Sequence, residues 1–313
     1  MTDIHTVFGA GQVGTQLARL LARRGHEVRL VRRGEPGEAM RGVTWLRGDA
    51  TDPSFADAAC RGASVVYNCT NPPDYADWDG LAPLYRAVWA AAGRAGARLV
   101  QLDNLYMYGR PSRAPFDECE PMRPCSKKGE LRARLAEELF EAHARGDLVA
   151  TAGRASDYFG PATPNAAVFR PDVYERIAKG GSVYVLGDPD TPHGYTYTPD
   201  VARGLATLGT HAAAPGRAWH LPTSAKLTTR ALLERFAARA GTEIKVRRVP
   251  TWALRSVGVF VPLAAAIAEM SYQWEVPYVL DDRDFTRTFG LEATPLDEAI
   301  DATLDANVRL AAA

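Results

Sequence analysis

The sequence predicts an α/β fold: a doubly wound parallel sheet followed by a smaller C-terminal substrate lobe. In the first half of the chain, short apolar runs typical of strands alternate with segments of helical period. These runs are apolar throughout, as expected for strands that helices cover on both faces. After residue 160 the alternation loosens and prolines become frequent, which marks the beginning of a differently built lobe.

The individual elements follow from these patterns. Six strands are predicted in the first half, at residues 6–8, 28–31, 43–46, 65–68, 99–102 and 148–152. The helices between them are predicted at residues 16–24, 54–60, 81–96 and 130–145. In the second half a strand is predicted at 183–186, and helices at 200–208 and 229–240. We therefore assign residues 1–160 to the first domain and 161–313 to the lobe, with about 195–210 lending a strand and a helix back to the first domain.

The composition is that of a globular protein with balanced charge. Of 313 residues, 46% are apolar, and 37 Lys and Arg residues balance 37 Asp and Glu residues. Nucleic-acid binding normally requires a basic surface, so no nucleic-acid partner is predicted. The most apolar stretch, residues 252–268, contains Arg255, Ser256 and Pro262, and it predicts a buried helical region rather than a membrane span.

The cysteines and the N-terminus bear on compartment and metal binding. Cys119 and Cys125 lack the close paired spacing of a zinc site, so no metal site is predicted. The first residues lack the basic and apolar segments of a secretory signal. We expect a cytoplasmic protein with free thiols, present as a monomer or homodimer without a membrane partner.

A glycine-rich turn directly follows the first predicted strand and opens a helix. Gly9 permits the tight turn, Gly11 allows a pyrophosphate to approach the backbone, and Gly14 lets the helix pack closely on the strand. The amides of Gln12, Val13 and their neighbours lie at the positive end of the helix dipole. In this strand–turn–helix context the motif predicts a Rossmann domain that binds a nicotinamide dinucleotide.

The end of the second strand indicates which dinucleotide binds. An acidic residue there would accept the ribose hydroxyls of NAD, but the strand ends in Arg32 and Arg33. Guanidinium groups match a 2′-phosphate in charge and geometry. NADP is therefore favoured, with NAD as the alternative.

Further segments resemble the extended and atypical short-chain dehydrogenase/reductases, the NAD-dependent epimerase/dehydratase superfamily. Together they cover almost the whole chain in the family's order. They are GDATD (48–52), VVYNCT (65–70), LYMYG (105–109), RASDYFGP (154–161) and YTYTPDVA (195–202). The resemblance implies that Asp49 and Ala50 meet the adenine, and that Thr70 and Asn71 lead to the nicotinamide ribose.

The sequence also departs from the family's catalytic pattern. The glycine turn is GxGxxG, a variant of the atypical branch, where the family reads GxxGxxG. The family's Ser or Thr, four residues before the corner tyrosine, is Asn104 here, preceded by Asp103. The family's Tyr should stand four residues before a Lys, but Pro124 precedes Lys128 and Arg123 precedes Lys127. The usual proton donor is therefore missing from its expected position.

Other residues could supply the missing chemistry. The resemblance implies that a lysine binds the nicotinamide ribose, and we favour Lys128 over Lys127 because a helix follows it directly. A proton donor is still needed near the substrate oxygen. Tyr106 and Tyr158 are candidates, with Asp103 and Asn104 able to polarise the substrate or relay the proton. For a third tyrosine, Tyr108, core packing is the expected role.

The lobe offers one clue to the substrate. Relatives that act on nucleotide sugars place an Arg just before the return strand, and the matching residue here is His193, which could also be an ordinary loop residue. A sugar nucleotide would lose an anchoring cation, so a smaller and less charged carbonyl compound is expected. Tyr106, His193 and Tyr197 are the candidate substrate contacts.

Three functions remain open at this point. The leading hypothesis is an NADP(H)-dependent oxidoreductase acting on a small organic carbonyl or alcohol. The second is an epimerase or dehydratase that uses its cofactor transiently. The third is a dinucleotide-binding sensor or regulator that has lost catalysis.

Overall fold

The computed structural model describes residues 3–72 and 74–311, with side chains as far as residue 307. The strands, in chain order, are β1 (Ile4–Phe8), β2 (Glu27–Arg32), β3 (Val43–Arg47), β4 (Val65–Asn68), β5 (Arg98–Asp103), β6 (Val149–Arg154), β7 (Asp157–Phe159), β8 (Ser182–Leu186), β9 (Pro192–Tyr197), β10 (Ala218–His220), β11 (Ala225–Thr228) and β12 (Lys245–Val249). The helices are α1 (Gly14–Arg23), α2 (Pro53–Cys60), α3 (Leu81–Arg94), α4 (Lys127–Ala144), α5 (Pro171–Lys179), α6 (Thr198–Thr210), α7 (Thr229–Arg239), α8 (Thr251–Gly258), α9 (Pro262–Glu269), α10 (Arg283–Phe289) and α11 (Leu296–Ala311). Short 3-10 helices lie at Tyr106–Tyr108 and Ser271–Trp274.

A seven-stranded parallel sheet forms the centre, in the order β10-β6-β5-β4-β1-β2-β3. The lobe contributes a three-stranded sheet, β11-β9-β7, and a two-stranded sheet, β12-β8. The strand order of the central sheet reverses between β1 and β4, which makes a crevice at the carboxyl ends of these strands. The doubly wound fold class and all six strands predicted in the first half are confirmed.

Helices cover both faces of the central sheet. Successive strand residues pack into opposite cores, as Leu99 and Val100 of β5 show: Leu99 meets Leu135 of α4 in one core, while Val100 joins Leu17 of α1 and Val201 of α6 in the other. This double burial explains why the strands are apolar at consecutive positions.

The lobe has an aromatic core of its own. Phe236 of α7 lies against Phe159 and Phe169, with ring centroids 5.8 and 5.0 Å apart. All three side chains are fully buried. The lobe is therefore held by a separate hydrophobic cluster rather than by the central sheet alone.

The boundary between the domains differs from the prediction in two respects. β7 already belongs to the lobe, because Asp157 pairs with Tyr195 of β9. Of the segment 195–210, only the helical part, α6, packs on the central sheet. β9 stays in the lobe because Tyr195 and Tyr197 are buried in its core. The strand that returns is β10, whose Ala218 pairs with Ala152 of β6.

The apolar stretch 252–268 is helical as predicted, but the prediction that it is buried is wrong for its first half. α8 has no buried residue. The side chains of Trp252, Val259 and Phe260 are 70%, 76% and 86% exposed. The physical reason is that α8 packs chiefly on α9 rather than on the central sheet. Within the described part of the chain, no helix is both long and apolar enough to cross a membrane.

Candidate active site

The three glycines of the turn between β1 and α1 have different surroundings. Gly9 has a φ of 96°, and a Cβ atom there would lie 2.7 Å from the Cys69 carbonyl group. A Cβ atom at Gly14 would lie 1.9 Å from the Gly9 carbonyl oxygen, whereas one at Gly11 would meet nothing within 4 Å. Gly9 and Gly14 are therefore required by the fold, while the space beside Gly11 is open to a ligand.

The start of α1 fits an anionic group. No side chain caps this helix, so its first backbone amides are available. Val13 is buried beneath the turn, and the Oε1 atom of Gln12 is buried without a hydrogen-bond partner among the described residues. The residues predicted to bind the pyrophosphate are thus brought together, and they fit a dinucleotide.

The arginines after β2 have different environments. Arg32 lies with its guanidinium carbon 5.9 Å from the centroid of the Trp45 ring, and it is half-buried. Arg33 is exposed. Contact with the Trp45 ring holds Arg32 in place, whereas Arg33 extends into solvent.

Asp49 and Ala50 follow β3 at the same edge of the sheet. The Oδ1 atom of Asp49 accepts hydrogen bonds from the backbone amide and the hydroxyl of Thr51, at 2.9 and 2.8 Å. These bonds lower the pKa of Asp49, and the charge of Arg33 adds to the effect. Ala50 is buried below the loop. Asp49 and Arg33 are therefore close neighbours, as an adenosine-binding role for both requires.

A buried arginine supports the loop after β4. The Thr70 hydroxyl donates to Oδ1 of Asn68 at 2.6 Å. Arg132 of α4 donates to Oδ1 of Asn71 at 2.8 Å. The loop predicted to lead to the nicotinamide ribose is thus fixed from below by a guanidinium group.

The same arginine takes part in a buried charge cluster. Asp103, at the end of β5, is 6% exposed and lies between two arginines. Its Oδ1 is 3.2 Å from Nη1 of Arg132, and its Oδ2 is 3.9 Å from Nε of Arg154. Burial raises the pKa of Asp103, and the two guanidinium groups act against that rise. Because the carboxylate is enclosed by these partners, we assign Asp103 to the support of the site rather than to substrate contact.

Lys128 and Lys127 are clearly distinguished by the structure. Lys127 is exposed, whereas the side chain of Lys128 is 7% exposed and faces inward. The Lys128 Nζ atom is 2.8 Å from Oε2 of Glu269, at the end of α9. It also lies 5.2 Å from the centroid of the Tyr75 ring and 5.8 Å from that of Trp78. The amine is therefore held at the carboxyl edge of the sheet in an aromatic setting.

Tyr106 belongs to this aromatic cluster. Its hydroxyl is 3.2 Å from the hydroxyl of Tyr75, and its ring stacks on Trp78 with centroids 6.1 Å apart. Burial, with a contribution from the charge of Asp157, raises the pKa of Tyr106 to about 12. Asn104 accepts a hydrogen bond from the backbone amide of Tyr106 at 3.0 Å, which fixes the turn after β5.

The other two candidate tyrosines have different roles. The Tyr108 hydroxyl accepts from Nη1 of Arg154 at 2.6 Å and lies 2.9 Å from Nε2 of His220, all in the interior, so Tyr108 is a packing residue as expected. Tyr158, in the middle of β7, lies between the cores of the two domains. Burial raises the pKa of Tyr158 far above its ordinary value, so the hydroxyl is a poor acid by itself.

His193 is neither a loop residue nor exposed. It lies in β9 and is 1% exposed, with its ring stacked between Trp274 and Tyr278 at centroid distances of 5.4 and 5.9 Å. Nδ1 is 3.0 Å from the carbonyl oxygen of Gln273, and Nε2 is 2.8 Å from Oδ2 of Asp157. The loop interpretation was wrong because this segment pairs with β11 and so enters the lobe sheet.

Tyr197 does not fit its predicted role in substrate binding. Its side chain is 6% exposed, and its ring lies 5.4 Å from that of Phe159 in the core of the lobe. It follows Tyr195 by two positions in β9, and the same face of the strand packs inward. Burial raises the pKa of Tyr197 to about 12, as expected for an enclosed phenol.

Three residues of the site were missed from the sequence. Arg132 follows Lys128 by four residues on a helix, which places both on one face, so the pattern could have revealed it. Asp157 lies inside the segment that resembles the family's strand-to-lobe corner, but no feature of that segment distinguishes it from its neighbours. Glu269 comes from α9, far along the chain, and no local signal links it to Lys128.

The sequence predicts no metal site. The structure brings one set of potential ligands together within its described residues: Asp3, His5 and His26 each offer an atom within 4.8 Å of the others. These residues lie at the amino ends of β1 and β2, at the edge opposite the glycine turn. They therefore take no part in the dinucleotide site.

Comparisons with solved structures show the same fold. UDP-N-acetylglucosamine 4-epimerase from Methanobrevibacter ruminantium, solved with UDP-N-acetylmuramic acid, is 16% identical with a TM-score of 0.81, over 99% of this chain and 100% of that one. UDP-glucose 4-epimerase from Thermotoga maritima, solved with UDP-glucose, is 16% identical with a TM-score of 0.78, over 98% and 99%. The dTDP-glucose 4,6-dehydratase of Streptomyces venezuelae, solved with NAD, is 18% identical with a TM-score of 0.78, over 98% and 97%.

The family of this chain is assigned from its sequence. A search of curated protein sequences found no match. Residues 6–221, which contain the glycine turn, the charge cluster and most of the lobe sheet, match the NAD dependent epimerase/dehydratase family. Because the members of this family are enzymes, the hypothesis of a sensor without catalysis is not retained. The chain belongs to the NAD-dependent epimerase/dehydratase family.

Proposed function

We propose that this protein is an NADP(H)-dependent oxidoreductase that acts on a small organic carbonyl or alcohol. The observation that carries the proposal is the burial of His193, which stands where relatives that bind nucleotide sugars have an Arg. A side chain that is 1% exposed and bound to Asp157 cannot hold a diphosphate. A substrate without that charged group fits the site better.

The surroundings of the site support a small, less charged substrate. Three arginines of the lobe that could replace the missing cation are each paired with an aspartate: Arg170 with Asp172, Arg203 with Asp200, and Arg230 with Asp190. The side chains around Lys128 are aromatic and suit an apolar molecule.

We assign the following roles to residues of the chain. When bound, the dinucleotide supplies or accepts the hydride. The glycine turn would hold its pyrophosphate, and Thr70 and Asn71 would position the nicotinamide ribose. Lys128 would orient the ribose hydroxyls, with Glu269 holding the amine in place. Tyr106 would contact the substrate from the aromatic cluster.

We further propose that NADP is preferred over NAD. Arg33 is free to reach a 2′-phosphate, and Arg32 presents a stacked guanidinium group beside it. Loss of a charge-assisted contact costs about 1.5–3 kcal/mol. Replacing both arginines with Ala should therefore weaken NADPH binding roughly 10- to 100-fold. NADH binding should be unchanged, as should both affinities in the exposed control Arg41→Ala. Equal affinity of the wild type for the two dinucleotides, measured by calorimetry, would contradict this preference.

Turnover of NADPH with a panel of aldehydes and ketones tests the proposed function. Loss of absorbance at the reduced nicotinamide band that depends on the carbonyl compound would support it. The family and the fold also favour a second candidate, an epimerase or dehydratase. In that case sugar-nucleotide substrates would be converted while the cofactor absorbance showed no net change, and the panel would give no turnover.

A further inference from the structure

We propose that Asp157 and His193 together replace the missing tyrosine as the acid–base group of this enzyme, with Asp157 transferring the proton and His193 positioning it. The inference rests on the proposed function, because it needs a substrate oxygen that gains or loses a proton.

The hydrogen bonds of His193 fix how many protons the pair holds. Nδ1 is 3.0 Å from the Gln273 carbonyl oxygen, which can only accept, so Nδ1 carries a hydrogen. Nε2 is 2.8 Å from Oδ2 of Asp157. An unprotonated nitrogen facing a carboxylate would repel it, so one further proton must lie between these two atoms. The pair therefore stores a single transferable proton, whichever of the two atoms carries it.

The proton can leave the pair only through Asp157. His193 is enclosed by Trp274 and Tyr278 and is 1% exposed, whereas the Asp157 side chain is 14% exposed. Oδ2 is occupied by His193, and Oδ1 accepts no side-chain hydrogen bond within the part of the chain that the structure describes. The carboxyl group of Asp157, rather than the ring of His193, is therefore the part of the pair that can meet a substrate.

Asp157 also lies where the chemistry would take place. It begins β7, three residues after the end of β6, at the carboxyl edge where open α/β sheets bind ligands. Its charge contributes to the raised pKa values of Tyr75 and Tyr106 in the aromatic cluster beside Lys128. The carboxyl group is thus within electrostatic reach of the hydroxyls that surround the proposed substrate site.

Four phenol groups face the pair, and burial makes each of them a weaker acid than an ordinary tyrosine. Tyr75 and Tyr106 face Asp157 from the cofactor side, and Tyr195 and Tyr278 face it from the lobe. Burial is the main cause of a raised pKa in all four, so these phenols stay neutral and hold their protons firmly.

The proposed step is balanced in atoms and charge. In the reducing direction, the bound dinucleotide would supply the hydride for the new C–H bond, and the electron pair of the C=O π bond would move to the oxygen. The proton moves from the contact between Nε2 and Oδ2 fully onto Asp157, and rotation of the carboxyl group turns it towards the substrate. It then passes to that oxygen and leaves an alcohol and the oxidised dinucleotide. The pair, now with one negative charge, takes a proton from solvent. In the oxidising direction the same pair removes the hydroxyl proton.

Asp157→Asn tests the proposal while keeping the shape of the pair, because the amide can donate to Nε2 but cannot release a proton at neutral pH. We expect kcat for carbonyl reduction to fall about 100-fold or more, with NADPH affinity unchanged. The pH dependence of kcat should also differ between the wild type and the variant, because only the wild type carries the transferable proton. Asp172→Asn, the same change at an exposed ion pair, is the control and should behave as wild type.

His193→Phe tests the positioning role separately. A phenyl ring can stack between Trp274 and Tyr278, but it cannot share a proton. Asp157 would then hold the proton without its partner, so kcat should fall and its pH dependence should again differ from that of the wild type. Wild-type rates and pH profiles in both variants would overturn the proposal and leave the oxidoreductase function intact. A wild type that reduces no carbonyl in the panel would overturn both, because the proton would have no oxygen to reach.

Discussion

At the scale of single residues, Gly11 and Gly14 occupy equivalent places in the sequence motif but meet different neighbours. A Cβ atom at Gly11 meets nothing, whereas one at Gly14 would collide with the backbone of Gly9. The space beside Gly11 is therefore open to a ligand, whereas the lack of a side chain at Gly14 allows the turn to close.

Gly11→Val should abolish dinucleotide binding without destabilising the protein, since the added carbons would occupy only the space that the pyrophosphate needs. Calorimetry with NADPH and chemical unfolding of the same sample measure the two effects. Gly14→Ala is the comparison: it should lower the free energy of unfolding, because the backbone must shift. Cofactor binding by Gly11→Val at wild-type affinity would show that the pyrophosphate lies elsewhere.

Site residues could be predicted from the sequence where they are neighbours along the chain. The glycine turn lies within six consecutive residues, and the structure brings its members together. The pair of Asp157 and His193 joins positions 36 residues apart, in β7 and β9. Only the pairing of those strands makes them neighbours, so the sequence suggested His193 but not its partner.

At the scale of elements, the beginning of α4 is held by the end of α9. One oxygen of Glu269 accepts from the backbone amides of Lys127 and Lys128, at 2.5 and 3.3 Å, while the other pairs with the Lys128 amine. A carboxylate at a helix N-terminus is stabilised by the helix dipole. The contact therefore fixes the lysine and ties the lobe to the first domain.

Lys128→Met should reduce both stability and turnover. The Glu269 carboxylate would lose its charged partner in a largely buried place, at a cost of about 1–3 kcal/mol in the free energy of unfolding. Turnover should fall further than stability explains, because the ribose would lose the amine that orients it. Lys127→Met removes an exposed side chain and should change neither quantity. If Lys127→Met lowered turnover and Lys128→Met did not, Lys127 would be the lysine that turnover requires.

A second prediction at this scale concerns the α8 surface, which is formed by α8 and by Val259 and Phe260 in the turn after it. Phe260→Ser changes a side chain that is 86% exposed, so the free energy of unfolding should stay within about 0.5 kcal/mol of wild type. Phe236→Ala, in the fully buried core of the lobe, should cost about 3–5 kcal/mol. Urea unfolding of both variants checks the contrast. A large loss of stability in Phe260→Ser would mean that the α8 surface is covered in solution.

For the whole molecule, the sequence predicts the central sheet better than the lobe. Most strands of the first half carry apolar residues at neighbouring positions because their two faces pack into different cores, as Leu99 and Val100 illustrate. No such pattern predicts β10, the strand that joins the central sheet from the second half of the chain. It has only three residues, one of them the polar His220, and it pairs with β6, which lies far from it in the sequence. The exposure of α8 was missed because apolar composition does not distinguish a buried helix from an unpartnered one.

Two buried histidines make stability depend on pH across the whole molecule. Burial is the main cause that lowers the pKa of His220 to about 3 and that of His5 to about 4. In the unfolded chain both should titrate near the ordinary value of about 6.5. As pH falls below that value, the unfolded state gains protons that the folded state does not, so stability present at neutral pH is lost.

Between pH 7 and pH 5 the two groups together should remove roughly 3–4 kcal/mol from the free energy of unfolding. Urea unfolding at the two pH values measures the change. His220→Gln keeps a partner for Tyr108, whose hydroxyl is 2.9 Å from Nε2, and it should remove about half of the difference. His5→Gln should remove the other half of the difference between the two pH values, because His5 in β1 and His220 in β10 bind protons independently. Variants that retain the full dependence would assign it to other groups, such as the buried carboxylates.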